Sequence, residues 1–166
     1  MRIRDYLTPD RIDLGLDSAT KSLAIERLVS RLARSLGLPD PQAVLTEVLR
    51  REEILSTGVG DGLAIPHAGV GVTAPAIALG VSPRGIDYGA LDQKPVHVLF
   101  LLVWPGDQPG LQLKALARIA RLGRQEDLVA RLTAAKTPAD ALQIITALDE
   151  RADLESAPRS APTPSL

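Results

Sequence analysis

The chain has 166 residues, 45% of them hydrophobic, with 19 basic and 20 acidic residues for a net charge of −1. That length fits one compact domain with a core of reasonable size, and that hydrophobic fraction excludes disorder over most of the chain. The balanced charge argues against a nucleic-acid partner, and the absence of cysteine excludes disulfides, thiolate metal sites and cysteine nucleophiles.

In chain order, the first element is an amphipathic helix over residues 18–37. Leu23, Ile25, Leu28, Val29, Leu32 and Leu36 form its apolar face, Asp17 or Ser18 is the expected N-cap, and Gly37 ends it. Leu38 to Pro41 reads as a turn, and a second helix follows from about Pro41 to Glu53 with Pro41 at its first position. Ser56 to Gly62 reads as loop. Leu63 to Ile65 and Ala76 to Val81 read as strands. Pro66 removes a ladder donor, so His67 is expected where regular pairing stops. Val96 to Val103 is an almost unbroken apolar run, as expected of a central strand covered on both faces. Helical periodicity returns over Gly110 to Arg124 and Leu128 to Ala135, and Thr137 caps a last helix with Pro138 in its first turn.

Interleaved helices and strands predict an α/β fold in a single layered domain over residues 1–149. Residues 150–166, rich in Pro, Ser and Ala towards the end, read as a disordered tail. The N-terminus lacks the apolar stretch of a secretory signal and the longest apolar run is too short to span a bilayer as a helix, so a cytoplasmic protein is expected.

Chemistry concentrates between Arg51 and His67, in Arg51-Glu-Glu-Ile-Leu-Ser-Thr-Gly-Val-Gly-Asp-Gly-Leu-Ala-Ile-Pro-His67. Imidazole, with an ordinary pKa of about 6.5, is substantially neutral and nucleophilic near pH 7. Gly58, Gly60 and Gly62 can bring bare N–H groups close to phosphate oxygens, and Arg51 can supply a fixed charge with a planar fork. Thr57 can add a hydrogen bond. Asp61 would repel a phosphate, so its role there is to orient the imidazole or Arg51. Each residue also has a plainer reading. Arg51 is then an exposed helix end, Asp61 and the glycines are turn residues, and Thr57 is a local backbone cap. His97, the only other histidine, reads as a strand-end residue with a satisfied ring, and no ligand cluster suggests a metal.

The pattern from Arg51 to His67, together with the order of helices and strands and the run Gln93-Lys94-Pro95-Val96, resembles the enzyme IIA domains of the fructose/mannitol class of the bacterial phosphoenolpyruvate-dependent phosphotransferase system. The nitrogen-regulatory enzyme IIA is among them. The likeness covers about residues 3–148. It implies a mixed central β-sheet flanked by helices and a phosphoryl group accepted on His67 from an HPr-like phosphocarrier protein. It implies Arg51 as the phosphate-stabilising residue, a match of Asp61 to an acidic or amide position, and no cofactor. With no cysteine and no membrane span here, the acceptor is expected on a separate enzyme IIB or regulatory target protein. The single-domain layout favours the nitrogen-regulatory subtype. One position departs from the pattern. A second histidine commonly opens a helix as His-Leu-x-x-Leu-Ala, and here that helix reads Gln112-Leu-Lys-Ala-Leu-Ala117. Glutamine can donate to a phosphate oxygen but carries no charge. This leaves a second expectation open, a regulatory binding module with weak or absent phosphorylation.

Overall fold

A computed structural model describes residues 1–156. After two short 3-10 turns come β1 (Ile12–Asp13), α1 (Lys21–Leu36), α2 (Pro41–Ile54), β2 (Gly58–Gly60), β3 (Leu63–Ala64) and β4 (His67–Val70). They are followed by β5 (Ala76–Ile86), β6 (Val96–Pro105), α3 (Pro109–Gly123), α4 (Leu128–Ala134) and α5 (Pro138–Ser156). The six strands form one mixed sheet in the order β1-β5-β6-β3-β2, with β4 also paired to β6. This is the layered α/β fold with a mixed sheet that the sequence predicts.

The long apolar run is the sheet's central strand. Val98, Phe100, Leu102 and Trp104 of β6 join one core with Ala115, Ile119 and Leu122 of α3, Leu128 and Leu132 of α4, and Ala141, Ile145 and Leu148 of α5. Leu99, Leu101 and Val103 join the opposite core with Ile25, Leu28 and Leu32 of α1 and Val44, Leu45 and Val48 of α2. Side chains alternate across a strand, so a strand packed on both faces needs apolar residues at every position.

Four local expectations are corrected. The N-cap of α1 is Thr20, whose hydroxyl accepts from the Leu23 N–H at 3.2 Å, in place of Asp17 or Ser18. Ser56 to Gly62 is not wholly loop, because Gly58 to Gly60 pairs antiparallel with β3. His67 does not sit where pairing stops. Leu63 and Ala64 pair with Val98 and Leu99, and after Pro66 the same parallel register resumes with His67 opposite Leu102. The missing donor of Pro66 interrupts one extended edge without shifting it, and the Pro66 carbonyl still accepts from the Leu102 N–H at 3.0 Å. Finally, α5 continues through Ser156, so the expected boundary at residue 149 falls inside a helix. The rest of the expected tail, 157–166, lies outside the described residues. Among the described residues no helix is long and apolar enough to cross a membrane.

Candidate active site

His67 is the first residue of β4 and is only 6% exposed. Its Nδ1 lies 2.7 Å from the carbonyl oxygen of Ile65. A carbonyl can only accept, so Nδ1 carries the proton and Nε2 is left with a free lone pair. The local chain dictates this contact. Pro66 holds Ile65 extended, and the Ile65 N–H is fixed to the Thr57 carbonyl at 3.0 Å. Burial lowers the pKa of His67 from its ordinary value. The Ile65 carbonyl opposes that shift, Arg51 adds to it, and Glu52 opposes it. The imidazole is therefore neutral near pH 7. Its ring lies 5.9 Å from that of Trp104, tilted by 37°.

A cleft of about 180 Å³ opens beside this ring. It is lined by Glu47, Arg50 and Arg51 of α2, His67, Ala68 and Gly69 of β4, Trp104 of β6, and Gln112 from the start of α3. Three residues singled out from the sequence, Arg51, His67 and Gln112, thus meet in one depression. Arg51 donates from Nη1 to the Leu55 carbonyl at 3.0 Å, which anchors one edge of its fork and leaves other N–H donors for an anion.

The other expected residues lie elsewhere. Thr57 is buried and its hydroxyl donates to the Glu52 carboxylate, so it holds the chain and does not line the cleft. Asp61 is exposed at a turn tip with φ of 53°, and its N–H donates to Asp92 Oδ2 at 3.0 Å. It does not line the cleft and does not orient the imidazole or Arg51. Gly60 and Gly62 flank it with φ of 100° and 77° and make that turn possible. Gly58 is packed where any Cβ would fall 2.7 Å from Ala90 Cβ. None of the three glycines lines the cleft. His97 donates from Nδ1 to the Ser82 carbonyl at 2.9 Å, the satisfied ring that its strand position predicts.

Several residues of the site escape a reading by pattern. Glu47 and Arg50 line the cleft, and the spacings of three and four residues that set Glu47 beside Arg50 and Arg51 on α2 are the available signal. Glu52 is a buried carboxylate that accepts from the Thr57 N–H at 3.0 Å and pairs with Lys21 Nζ at 3.2 Å. Its third neighbour, the Tyr88 phenol, is pushed well above its usual range by burial and then by the charge of Glu52. Trp104 reaches the site only through the register of β6 against β4. Among the described residues no group of three or more His, Asp or Glu is placed to hold a metal ion.

A neutral imidazole with one committed nitrogen thus faces a small cleft with two guanidiniums, on a mixed β-sheet flanked by helices. The chain belongs to the family described as phosphoenolpyruvate-dependent sugar phosphotransferase system, EIIA 2, which matches residues 5–148. It is similar to the nitrogen regulatory protein of Bradyrhizobium diazoefficiens, 36% identical over 149 residues, which are 89% of this chain and 96% of that protein. It is also 36% identical over 151 residues to the fructose-specific EIIABC component of Bacillus subtilis, covering 90% of this chain but only 24% of that longer protein. The crystal structure of the nitrogen regulatory protein IIA-Ntr from Neisseria meningitidis superposes with a TM-score of 0.80 at 28% identity, covering 87% of this chain and 99% of that one. The protein is thus a member of a phosphoryl-carrier family, a phosphotransfer component whose relatives include nitrogen-regulatory proteins.

Proposed function

We propose that His67 accepts a phosphoryl group on Nε2 from an HPr-like phosphocarrier protein and passes it to a separate protein, an enzyme IIB or a regulatory target. The observation that carries this reading is the Nδ1 contact to the Ile65 carbonyl in a cleft shared with Arg51. The lone pair of Nε2 attacks phosphorus. The bond from phosphorus to the donor nitrogen breaks, and its electron pair returns to the donor ring. The loaded imidazole keeps its Nδ1 proton and gains positive character, which the Ile65 carbonyl stabilises by accepting that proton's hydrogen bond. Phosphoryl transfer asks little covalent work of a protein beyond positioning and charge stabilisation. Arg51 supplies the charge, and the Gln112 amide donates to a phosphoryl oxygen. In onward transfer the acceptor's nucleophile attacks phosphorus, the bond to Nε2 breaks and its electron pair returns to the His67 imidazole.

We assign the protein to a regulatory, nitrogen-type branch acting in the cytoplasm. This is supported by the likeness to nitrogen regulatory proteins, at 36% identity to that of Bradyrhizobium diazoefficiens and a TM-score of 0.80 to that of Neisseria meningitidis. Incubation with phosphoenolpyruvate, enzyme I and each HPr-type carrier tests the reading. The expected product is an acid-labile label that the His67→Ala variant does not take up.

One observation favours a second reading. Gln112 lines the cleft as a neutral amide, unable to shuttle a proton. In that reading the fold serves as a docking module, and partner capture survives His67→Ala with no dependence on phosphorylation. Capture that tracks phosphorylation selects the first reading.

A further inference from the structure

The cleft contains a charged side chain that the preceding mechanism leaves unused. Arg50 donates from both Nε and Nη2 to a single oxygen, Glu47 Oε2, at 3.2 and 2.7 Å. Both side chains are well exposed, at 68% and 41%, and both line the cleft with His67. We propose that Arg50 is a second phosphoryl-binding guanidinium, exchanging Glu47 for the phosphoryl group when His67 is loaded. The inference rests on the reading that His67 takes the phosphoryl group.

Charge makes the case. With His67 neutral and Gln112 uncharged, the formal charges lining the cleft are those of Glu47, Arg50 and Arg51. Arg51 alone would only cancel Glu47 and leave a neutral cleft facing an incoming dianion. Arg50 makes the cleft positive. Its partner is also easy to leave. An exposed pair three residues apart on a helix contributes little to stability, since water and salt screen it. A phosphoryl group carries between one and two negative charges near pH 7 and offers three acceptor oxygens, against one carboxylate charge shared over two. A guanidinium has five N–H donors, and the contact with a single carboxylate oxygen engages only two of its nitrogens. Exchange of Glu47 for phosphate therefore gains charge and hydrogen bonds, and moves only one exposed side chain.

Potassium phosphoramidate, a small phosphodonor with no protein surface, separates this role from docking. The rate and lifetime of acid-labile label are measured for the wild type, Arg50→Gln, Arg50→Lys and Glu47→Gln, with His67→Ala as the blank. Labelling of Arg50→Gln is expected to be slower by about 10- to 100-fold, the worth of one charge-assisted hydrogen bond. Arg50→Lys recovers part of the loss, and Glu47→Gln, which frees Arg50, labels faster than wild type. Equal labelling of wild type and Arg50→Gln overturns the proposal and leaves His67 as acceptor. Slowing of Arg50→Gln with the carrier protein but not with phosphoramidate also overturns it, because Arg50 is then a docking contact. A wild type that takes no label from either donor removes the underlying reading together with this one.

Discussion

The imidazole of His67 donates to the carbonyl of Ile65, two residues earlier in the chain, at 2.7 Å. That contact selects the tautomer, and burial keeps the ring neutral by lowering its pKa from the ordinary value near 6.5. In NMR titration of the imidazole, His67 is expected to titrate below 6.5 and the acid limb of the phosphorylation rate to fall there too. The sign for stability follows. The unfolded chain takes up this proton at higher pH than the folded one. Stability is thus whole above about pH 6.5 and is lost as pH falls from there through the folded-state pKa. A titration midpoint at or above 6.5 contradicts the burial argument.

Glu52 ties the end of α2 to the segment that leads to β2. Its carboxylate accepts both the N–H and the hydroxyl of Thr57 and is balanced by Lys21. Glu52→Ala leaves the buried Thr57 N–H unpaired, while the Thr57 hydroxyl keeps Tyr88 Oη at 3.0 Å, and is expected to lower stability by about 1–3 kcal/mol. Denaturant unfolding measures it. Glu52 also raises the pKa of His67 by its charge, so Glu52→Gln is expected to move the imidazole titration further down. An upward movement contradicts this.

Gln112 stands in the cleft without charge. Gln112→Ala is expected to slow phosphoryl acceptance by about 10-fold or more, the worth of a hydrogen bond to a charged acceptor. Gln112→His restores a group that can carry charge and is expected to speed it. Single-turnover labelling with a fixed carrier concentration checks both. Unchanged rates in both variants make Gln112 a bystander at the rim.

Gly58 is set by packing rather than by phosphate. A Cβ there would meet Ala90 Cβ at 2.7 Å and Ala90 Cα at 2.8 Å. Gly58→Ala is expected to cost about 1–3 kcal/mol, as overpacking does, with a matching fall in the thermal midpoint. A stable Gly58→Ala variant that loses only phosphorylation would return this glycine to the anion site.

The helices and the central strand were legible because their signals are local. The periodicity of Leu28, Val29 and Leu32 and the turn at Gly37 describe α1 without reference to the rest of the chain. The run from Val96 to Val103 describes a strand covered on both faces. The strand at Gly58 to Gly60 was not legible, since glycines have poor strand propensity and only pairing with Leu63 and Ala64 orders them. His67 and Arg51 stood out by residue type and spacing. The residues that complete the site did not. Trp104 arrives through strand register, Arg50 and Glu47 through a shared helix face, and Glu52 through burial. Asp61 and the glycines beside it belong to a turn away from the cleft. Asp followed by Gly serves turns and phosphate sites alike, and the positive φ values at 60, 61 and 62 identify the turn.

The central claim is that Nε2 of His67 carries the phosphoryl group. Labelling from phosphoenolpyruvate through enzyme I and an HPr-type carrier, read by ³¹P NMR and by acid lability, tests it most directly. One phosphoimidazole signal with phosphorus on Nε2 is expected, absent from His67→Ala. Equal acid-labile label in the wild type and in His67→Ala, or phosphorus on Nδ1, would contradict it.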